Sequence, residues 1–241
     1  MNLAAIRGMV LQRLDEDPTG QISGTWTDAE VDAAINEGQM LMVLITLCLE
    51  ATFAFQLAAA TWNYNPFAQL PDWIAPLRCR MGGLKVRAAR MADLDALDTA
   101  WRAKTRDAAS RYGTLGWSLI YFYPQLKASG SVDLTYARSP VVMVADTDVP
   151  EVPEQHHNAL ADYGVYHCRQ KLGGLELEKG LAFLARFFES SKQLGTFTRA
   201  RALGERYDTI PVELERFDLS RLVKVRKDIL PLLKEGAASA N

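Results

Sequence analysis

The chain has no proline between Pro18 and Pro66, and this long interval limits the folds available to its N-terminal part. The interval opens with a helix-start signal. The Thr27 hydroxyl can accept a hydrogen bond from the Glu30 amide, while the Glu30 carboxylate reaches back to the amide of Thr27. Apolar residues then recur at helical spacing. The pattern predicts one long helix from Thr27 to about Ala59.

Residues 40–60 are strongly apolar, which raises the question of a membrane span. A transmembrane helix needs about 20 predominantly apolar residues, and Glu50 and Gln56 interrupt this stretch. We therefore predict no membrane insertion. The stretch is instead expected to be a helix buried within its own domain or against a neighbouring subunit.

Three more helices are predicted from apolar residues that recur every three or four positions. The first covers residues 3–14. The other two cover 159–172 and 177–188, and the Gly173-Gly174 pair between them predicts a helical hairpin.

The middle third of the chain has the alternation and composition of β-strands. Three strands are predicted, at 84–88, 119–123 and 132–136, and the last two are expected to pair as a hairpin. Leu94, Leu97 and Trp101 have helical spacing, so a short helix is predicted between the first two strands.

Together these elements predict an α+β fold that is mostly α: a helical bundle with a small inserted antiparallel β element and an extended C-terminal arm. Residues 1–194 would form one domain, with the bundle at 1–60 and 153–194 and the β-containing insertion at 61–152. Residues 195–241 would form the arm, which contains Pro211 and Pro231.

The charge balance, with 27 basic and 29 acidic residues, gives no global attraction to nucleic acid or to an anionic membrane. The N-terminus lacks the pattern of a secretory signal, and three widely spaced cysteines do not suggest a disulfide framework. The sequence thus predicts a chain made and kept in a reducing compartment.

No spacing in the sequence supports catalysis, a cofactor or a metal site. His157 and His167 lie too far apart for two ligands on one helical face. His156 and His157 are predicted to be surface residues of a first helical turn. Neither glycine pair belongs to a phosphate-binding motif. We predict that the chain is not an enzyme.

The arm combines charged residues with intermittent apolar ones. A basic cluster near Tyr207 could contact DNA phosphates or an acidic protein surface, but acidic residues follow closely, which favours a protein partner over nucleic acid. A frayed tail is the alternative. The predicted partner-binding residues are Arg199, Arg201, Arg206, Tyr207, Phe217, Leu219 and Leu222.

The order of several motifs resembles that of tailed-bacteriophage head-to-tail adaptor, or connector, proteins. The opening motif at 26–38 contains the capping box and an Ile-Asn-Glu tripeptide. A helix leading to a tryptophan follows at 94–101, and then a strand that ends in Tyr-Pro at 120–124. The remaining matches are at 112–113, 130–140, 152–166 and 182–188. The similarity covers roughly the first 192 residues, and its strength lies in the order of the motifs.

The resemblance implies a structural virion protein, made in the host bacterial cytoplasm. Such subunits form a ring, commonly of twelve copies, that joins the portal to the tail and continues the DNA channel. The implied partners are other copies of the chain, the portal protein and a tail or nozzle protein, with passive contact to DNA. The C-terminal arm would dock on the portal. Two alternatives remain: a tail-completion or tail-terminator protein of the same virion, and a DNA-binding helical protein.

Overall fold

The computed structural model describes residues 1–14, 25–116 and 118–203, the last three by their backbone alone. The helices in these ranges are α1 (Leu3–Arg13), α2 (Asp28–Thr46), α3 (Met91–Leu97), α4 (His157–Leu172) and α5 (Gly174–Leu203). The strands are β1 (Glu50–Leu57), β2 (Asn63–Tyr64), β3 (Trp73–Met81), β4 (Leu84–Ala88), β5 (Thr105–Arg106), β6 (Arg111–Leu115), β7 (Leu119–Tyr123), β8 (Gln125–Leu126) and β9 (Gly130–Arg138).

Seven strands form one mixed sheet in the order β1-β9-β3-β4-β6-β7-β2, and this sheet curls into a half-barrel. Within it, β4 and β6 pair in parallel, and the other described neighbours are antiparallel. The two short strands β5 and β8 form a separate parallel pair. The predicted bundle with a small β insertion is therefore wrong, because the sheet is a major part of the fold.

The predicted helix to Ala59 is also wrong. Helix α2 ends at Thr46, Leu47 adopts a left-handed φ of 51°, and β1 begins three residues later. Phe55 and Leu57 alternate with exposed residues and enter the sheet core. All eight residues of β1 pair with β9, a partner so distant in sequence that local periodicity does not reveal it.

The pairing predicted for the last two strands is wrong as well. Strand β7 pairs with β6 and β2, whereas β9 pairs with β1 and β3. β6 precedes β7 closely, and Gly116 between them has a φ of 63°, which suits a tight turn. β7 therefore pairs with a strand that comes before it in sequence.

The local helix signals are confirmed. The capping box at Thr27 is complete, since the Glu30 amide donates to the Thr27 hydroxyl oxygen and the Thr27 amide donates to the Glu30 carboxylate. Helices α4 and α5 pack as a hairpin around Gly173 and Gly174, both with positive φ. The boundary at 194/195 stays a prediction, although α5 continues across it to Leu203.

Helices α1, α2, α4 and α5 share one hydrophobic core. Its most deeply buried members include Leu3, Ile6, Ile35, Met42 and Phe187. A second core lies against the sheet, and a small third one surrounds Trp101. Ile74 of β3 and Ala137 of β9 belong to the helical core, so these two strands join the sheet to the helices.

The segment 139–152, which turns at 145–147, is fixed to α2 by two side-chain amides. Asn36 donates to the Met143 carbonyl at 3.0 Å and accepts from the Met143 amide at 2.9 Å. Gln39 donates to the Val141 carbonyl at 3.2 Å and accepts from the Glu151 amide at 3.0 Å. The amides of α2 thus replace the neighbouring strand that an extended segment otherwise needs.

The end of the same segment is held by an ion pair. The Glu151 carboxylate accepts two hydrogen bonds from the Arg138 guanidinium, at 2.7 and 3.0 Å, and one from the Val141 amide at 2.8 Å. These interactions, the Arg138 hydrogen bonds above all, lower the pKa of Glu151 from its ordinary value of 4.5. The carboxylate is therefore ionised in the folded chain under most conditions.

Replacing Glu151 with glutamine should lower the free energy of unfolding by about 1–2 kcal/mol at pH 7, because charge-assisted hydrogen bonds are lost. A depressed acid pKa stabilises the fold above the unfolded pKa, and this contribution is lost as the pH falls through the folded pKa. The difference between the two proteins should therefore shrink below pH 4.5. Urea unfolding of both proteins at pH values from below 4.5 to 7 measures this difference in the free energy of unfolding. The control is Glu178→Gln on the exposed face of α5, and an equal loss at all pH values would contradict the prediction.

Candidate functional site

Of the seven predicted partner-binding residues, Arg199 alone has a side chain in the described part of the chain, where it is exposed on α5. Arg201 lies in the last turn of α5 with its side chain outside the described part. The remaining five lie outside the described residues altogether: Arg206, Tyr207, Phe217, Leu219 and Leu222.

Arg199 lines a groove between the C-terminal half of α5, the end of α2 and the hairpin formed by β3 and β4. The groove has a volume of about 1020 Å³, which is at the upper end of the range for ligand pockets. Helix α5 contributes residues between Ser191 and Arg199, and α2 contributes Ile45 and Thr46. We refer to it as the basic groove, because its lining is rich in cations.

Six cationic side chains line the basic groove, together with a single carboxylate, Glu50. The cations are Arg78, Arg80, Lys85, Arg87, Lys192 and Arg199. Arg78 donates to Glu50 at 3.1 Å. The other five cations form no ion pair with a residue in the described ranges. The groove therefore has an excess of positive charge that the described residues do not balance.

Strand register places several of these cations next to other basic residues. Arg80 lies directly opposite Lys85 across β3 and β4, and Arg87 lies opposite Arg111 across β4 and β6. Like charges in facing positions destabilise a sheet. On its other side Arg80 faces Asp133 of β9, which offsets part of this repulsion. A bound anionic group would relieve the remainder.

The groove also offers apolar surface. Ile45, Leu47, Leu77, Val86 and Tyr112 are among its lining residues. A lining of cations with aliphatic and aromatic side chains can bind a partner that presents carboxylates and apolar side chains together.

The basic residues of β3 and β4 were not assigned a role from the sequence. Their signal was the alternation of basic and apolar residues in Arg78-Cys79-Arg80 and Lys85-Val86-Arg87. Because neighbouring side chains of a strand point to opposite faces, this alternation places the charges of each strand on one face. The sequence did not show that α5 lies beside that hairpin.

The prediction that His156 and His157 lie on the surface is wrong, since their exposed fractions are 7% and 2%. His156 Nδ1 lies 2.8 Å from the Ser190 hydroxyl of α5, and His157 Nε2 lies 2.9 Å from the Val152 carbonyl. Burial lowers the pKa of His156. The first turn of α4 is covered by α5 and by the N-terminus of the chain, whose amine lies 3.1 Å from His157 Nδ1. The burial of both histidines therefore depends on the packing of α5 and of the N-terminus against the start of α4.

The two buried cysteines have little nucleophilic character. Burial raises the pKa of Cys79 to about 12 and that of Cys168 to about 11, so both thiols are protonated at neutral pH. Among the described residues, no group of three or more histidine, cysteine, aspartate or glutamate side chains could hold a metal ion. In the same ranges, no helix is both long and apolar enough to cross a membrane.

Comparison with known proteins gives the family. The family model described as SU10 adaptor protein matches residues 1–209. The chain belongs to the SU10 adaptor protein family. The predicted relationship to phage head-to-tail adaptors is thereby confirmed, and the protein is a structural adaptor of the bacteriophage virion, a class that is not enzymatic. No curated protein matches the sequence.

Proposed function

We propose that this adaptor assembles as a ring of twelve copies between the portal and the tail of the virion, and that the ring continues the DNA channel. The match of the SU10 adaptor family model to residues 1–209 carries the proposal. The family implies contact with portal and tail proteins. The near-neutral charge of the chain also suits a channel wall, because strong neutralisation of phosphates would hold the DNA in place.

The segment 139–152 provides a surface suited to contact between subunits. Val141, Val142 and Val144 are exposed by 67%, 64% and 82%, although the hydrogen bonds from Asn36 and Gln39 fix the backbone around them. Neighbouring exposed apolar side chains on a rigid backbone are typical of protein interaction sites. We assign this segment to the interface between neighbouring copies.

The portal contact is assigned to the end of α5 and the residues that follow it. The residues involved are Arg199, Arg201, Arg206, Tyr207, Phe217, Leu219 and Leu222. Arg199 is exposed, and this part of the chain combines arginine with aromatic and aliphatic residues. Arginine and aromatic residues are enriched at protein interfaces.

The ring is tested by measuring the mass of the purified chain with and without purified portal protein. We expect an assembly that contains twelve copies of the chain when portal is present. Replacing Val142 and Val144 with aspartate should prevent the ring while leaving the melting temperature of the free chain nearly unchanged, since both side chains are exposed. The matched control is Leu84→Asp, which changes an equally exposed apolar residue in the hairpin between β3 and β4.

Failure of the chain to bind portal would contradict the proposal. The position of the chain in a map of the whole virion separates it from the tail-completion alternative, which predicts a site away from the portal. The DNA-binding alternative would place phosphates against the cations of the basic groove. Strongly salt-dependent binding to duplex DNA, lost on reversal of those charges, would support that alternative instead.

A further inference from the structure

We propose that the basic groove holds residues 205–218 of the same chain while the subunit is free. The inference concerns the chain before assembly, so it does not depend on the ring or on the portal contact. Its basis is the charge of the groove, the sequence of this segment and the place where α5 ends.

The charge of the segment is complementary to that of the groove. Residues 205–218 contain five acidic and two basic side chains, whereas residues 219–241 contain two acidic and five basic ones. The acidic residues of the first part are Glu205, Asp208, Glu213, Glu215 and Asp218. Only the first part therefore complements a groove lined by six cations and one carboxylate.

The pattern of the segment also fits the mixed lining. Val212, Glu213, Leu214 and Glu215 alternate between apolar and acidic residues. In an extended conformation this alternation places the carboxylates on one face and the apolar side chains on the other. One face can pair with the groove cations while the other covers apolar lining residues. Duplex DNA offers phosphates but no comparable apolar face, so the groove favours the peptide.

The position of the segment supports binding within one chain. Arg199 lines the groove, and α5 is described to Leu203. Four helical residues advance the chain by only about 6 Å, so the described end of α5 lies close to the edge of the groove. The fourteen residues of the segment can span about 46 Å when extended. The segment can therefore enter the groove of its own subunit, with no need for a second copy.

The test uses the full-length chain and a zero-length carbodiimide reagent, which joins a lysine amine to a carboxylate in contact with it. Lys85 and Lys192 line the groove, and both should form amide cross-links to Glu213, Glu215 or Asp208. The ion pair of Lys127 with Asp107, at 3.3 Å, provides an internal reference for the reaction. Mixing chains labelled with ¹⁴N and ¹⁵N separates cross-links within one chain from those between two chains.

Charge reversal then tests whether the groove cations hold the segment. The double variant Arg80→Glu/Arg87→Glu should reduce the tail cross-links of Lys192 about tenfold, because attraction is replaced by repulsion. Adding Glu213→Lys and Glu215→Lys should restore contact through new cross-links between the introduced lysines and glutamates. The control is Arg106→Glu, which reverses an exposed charge on β5 away from the groove. Arg80 and Arg87 are exposed, and Glu213 and Glu215 lie outside the described residues. A melting curve checks that each variant folds.

Three outcomes would overturn the inference. The first is a reaction that forms the reference cross-link between Lys127 and Asp107 but no cross-link between the groove lysines and residues 205–218. The second is cross-links that join only chains of different label, which would place the segment of one copy on another. The third combines two results for the Arg80→Glu/Arg87→Glu variant. The variant loses the binding of a short duplex DNA that the unaltered chain shows, but it keeps its tail cross-links.

Discussion

Replacing Phe187 with alanine is expected to lower the free energy of unfolding by about 3–5 kcal/mol, the usual cost of removing a buried phenylalanine. Phe187 is fully buried in the core shared by α1, α2, α4 and α5. Its ring centre lies 5.0 Å from that of Tyr163 on α4 and 5.6 Å from that of Phe188. Domains are commonly stable by only about 5–15 kcal/mol, so the change removes a large part of the total.

Denaturant unfolding, followed by circular dichroism, measures this loss. The control is Leu175→Ala on the same helix, where the side chain is 75% exposed. We expect the control to cost less than about 1 kcal/mol. Equal losses for the two variants would show that Phe187 does not anchor α5 to the other helices. Such a result would also weaken the assignment of one wall of the basic groove to α5.

The helices were predictable because their signals are local. The capping box at Thr27, the turn at Gly173-Gly174 and the apolar spacing of α4 each depend on residues within a few positions of one another. Strand β1 was missed for the opposite reason. Its residues lack proline and charge beyond Glu50, so an apolar helix and a buried strand have nearly the same signature. Pairing with β9 decides between them.

The motifs behind the family resemblance turn out to be packing motifs. Asn36 of the Ile-Asn-Glu tripeptide fixes the segment 139–152, and Glu37 accepts the Tyr163 hydroxyl at 2.8 Å. Leu94, Trp101 and Tyr121 form the small third core. Each of these motifs holds together elements that are distant in the sequence.

The basic groove could not be predicted because three distant parts of the chain form it. Arg199 was singled out from the sequence for a basic cluster that continues to Arg206. The structure places Arg199 beside the basic residues of the β3–β4 hairpin. The proposed portal contact and the proposed resting site of residues 205–218 thus meet at Arg199. Portal binding and groove binding would compete for Tyr207 and Phe217.

Replacing Gly113 with alanine is the second change with a large expected effect. A Cβ at this position would lie 2.3 Å from the Ala89 carbonyl oxygen and 2.3 Å from the Tyr121 hydroxyl oxygen. These two atoms are themselves hydrogen-bonded at 2.7 Å. The carbonyl belongs to the backbone and cannot rotate away, so β6 must move from β4. We expect a loss of about 3 kcal/mol or more, from overpacking and from the broken hydrogen bond.

The location of the clash predicts which strands lose stability. The Ala89 amide donates to the Tyr112 carbonyl at 2.8 Å, beside the parallel pairing of β4 and β6. Moving β6 would separate β6, β7 and β2 from the rest of the sheet, so hydrogen exchange should rise in these strands more than in α1 or α4. Adding Tyr121→Phe should restore little of the stability, because the ring carbon Cζ stays 2.5 Å from the added Cβ. Gly8→Ala, with no heavy atom within 4 Å of its Cβ, is the control and should be neutral or slightly stabilising. Uniform exchange across helices and sheet would contradict a local effect at β6.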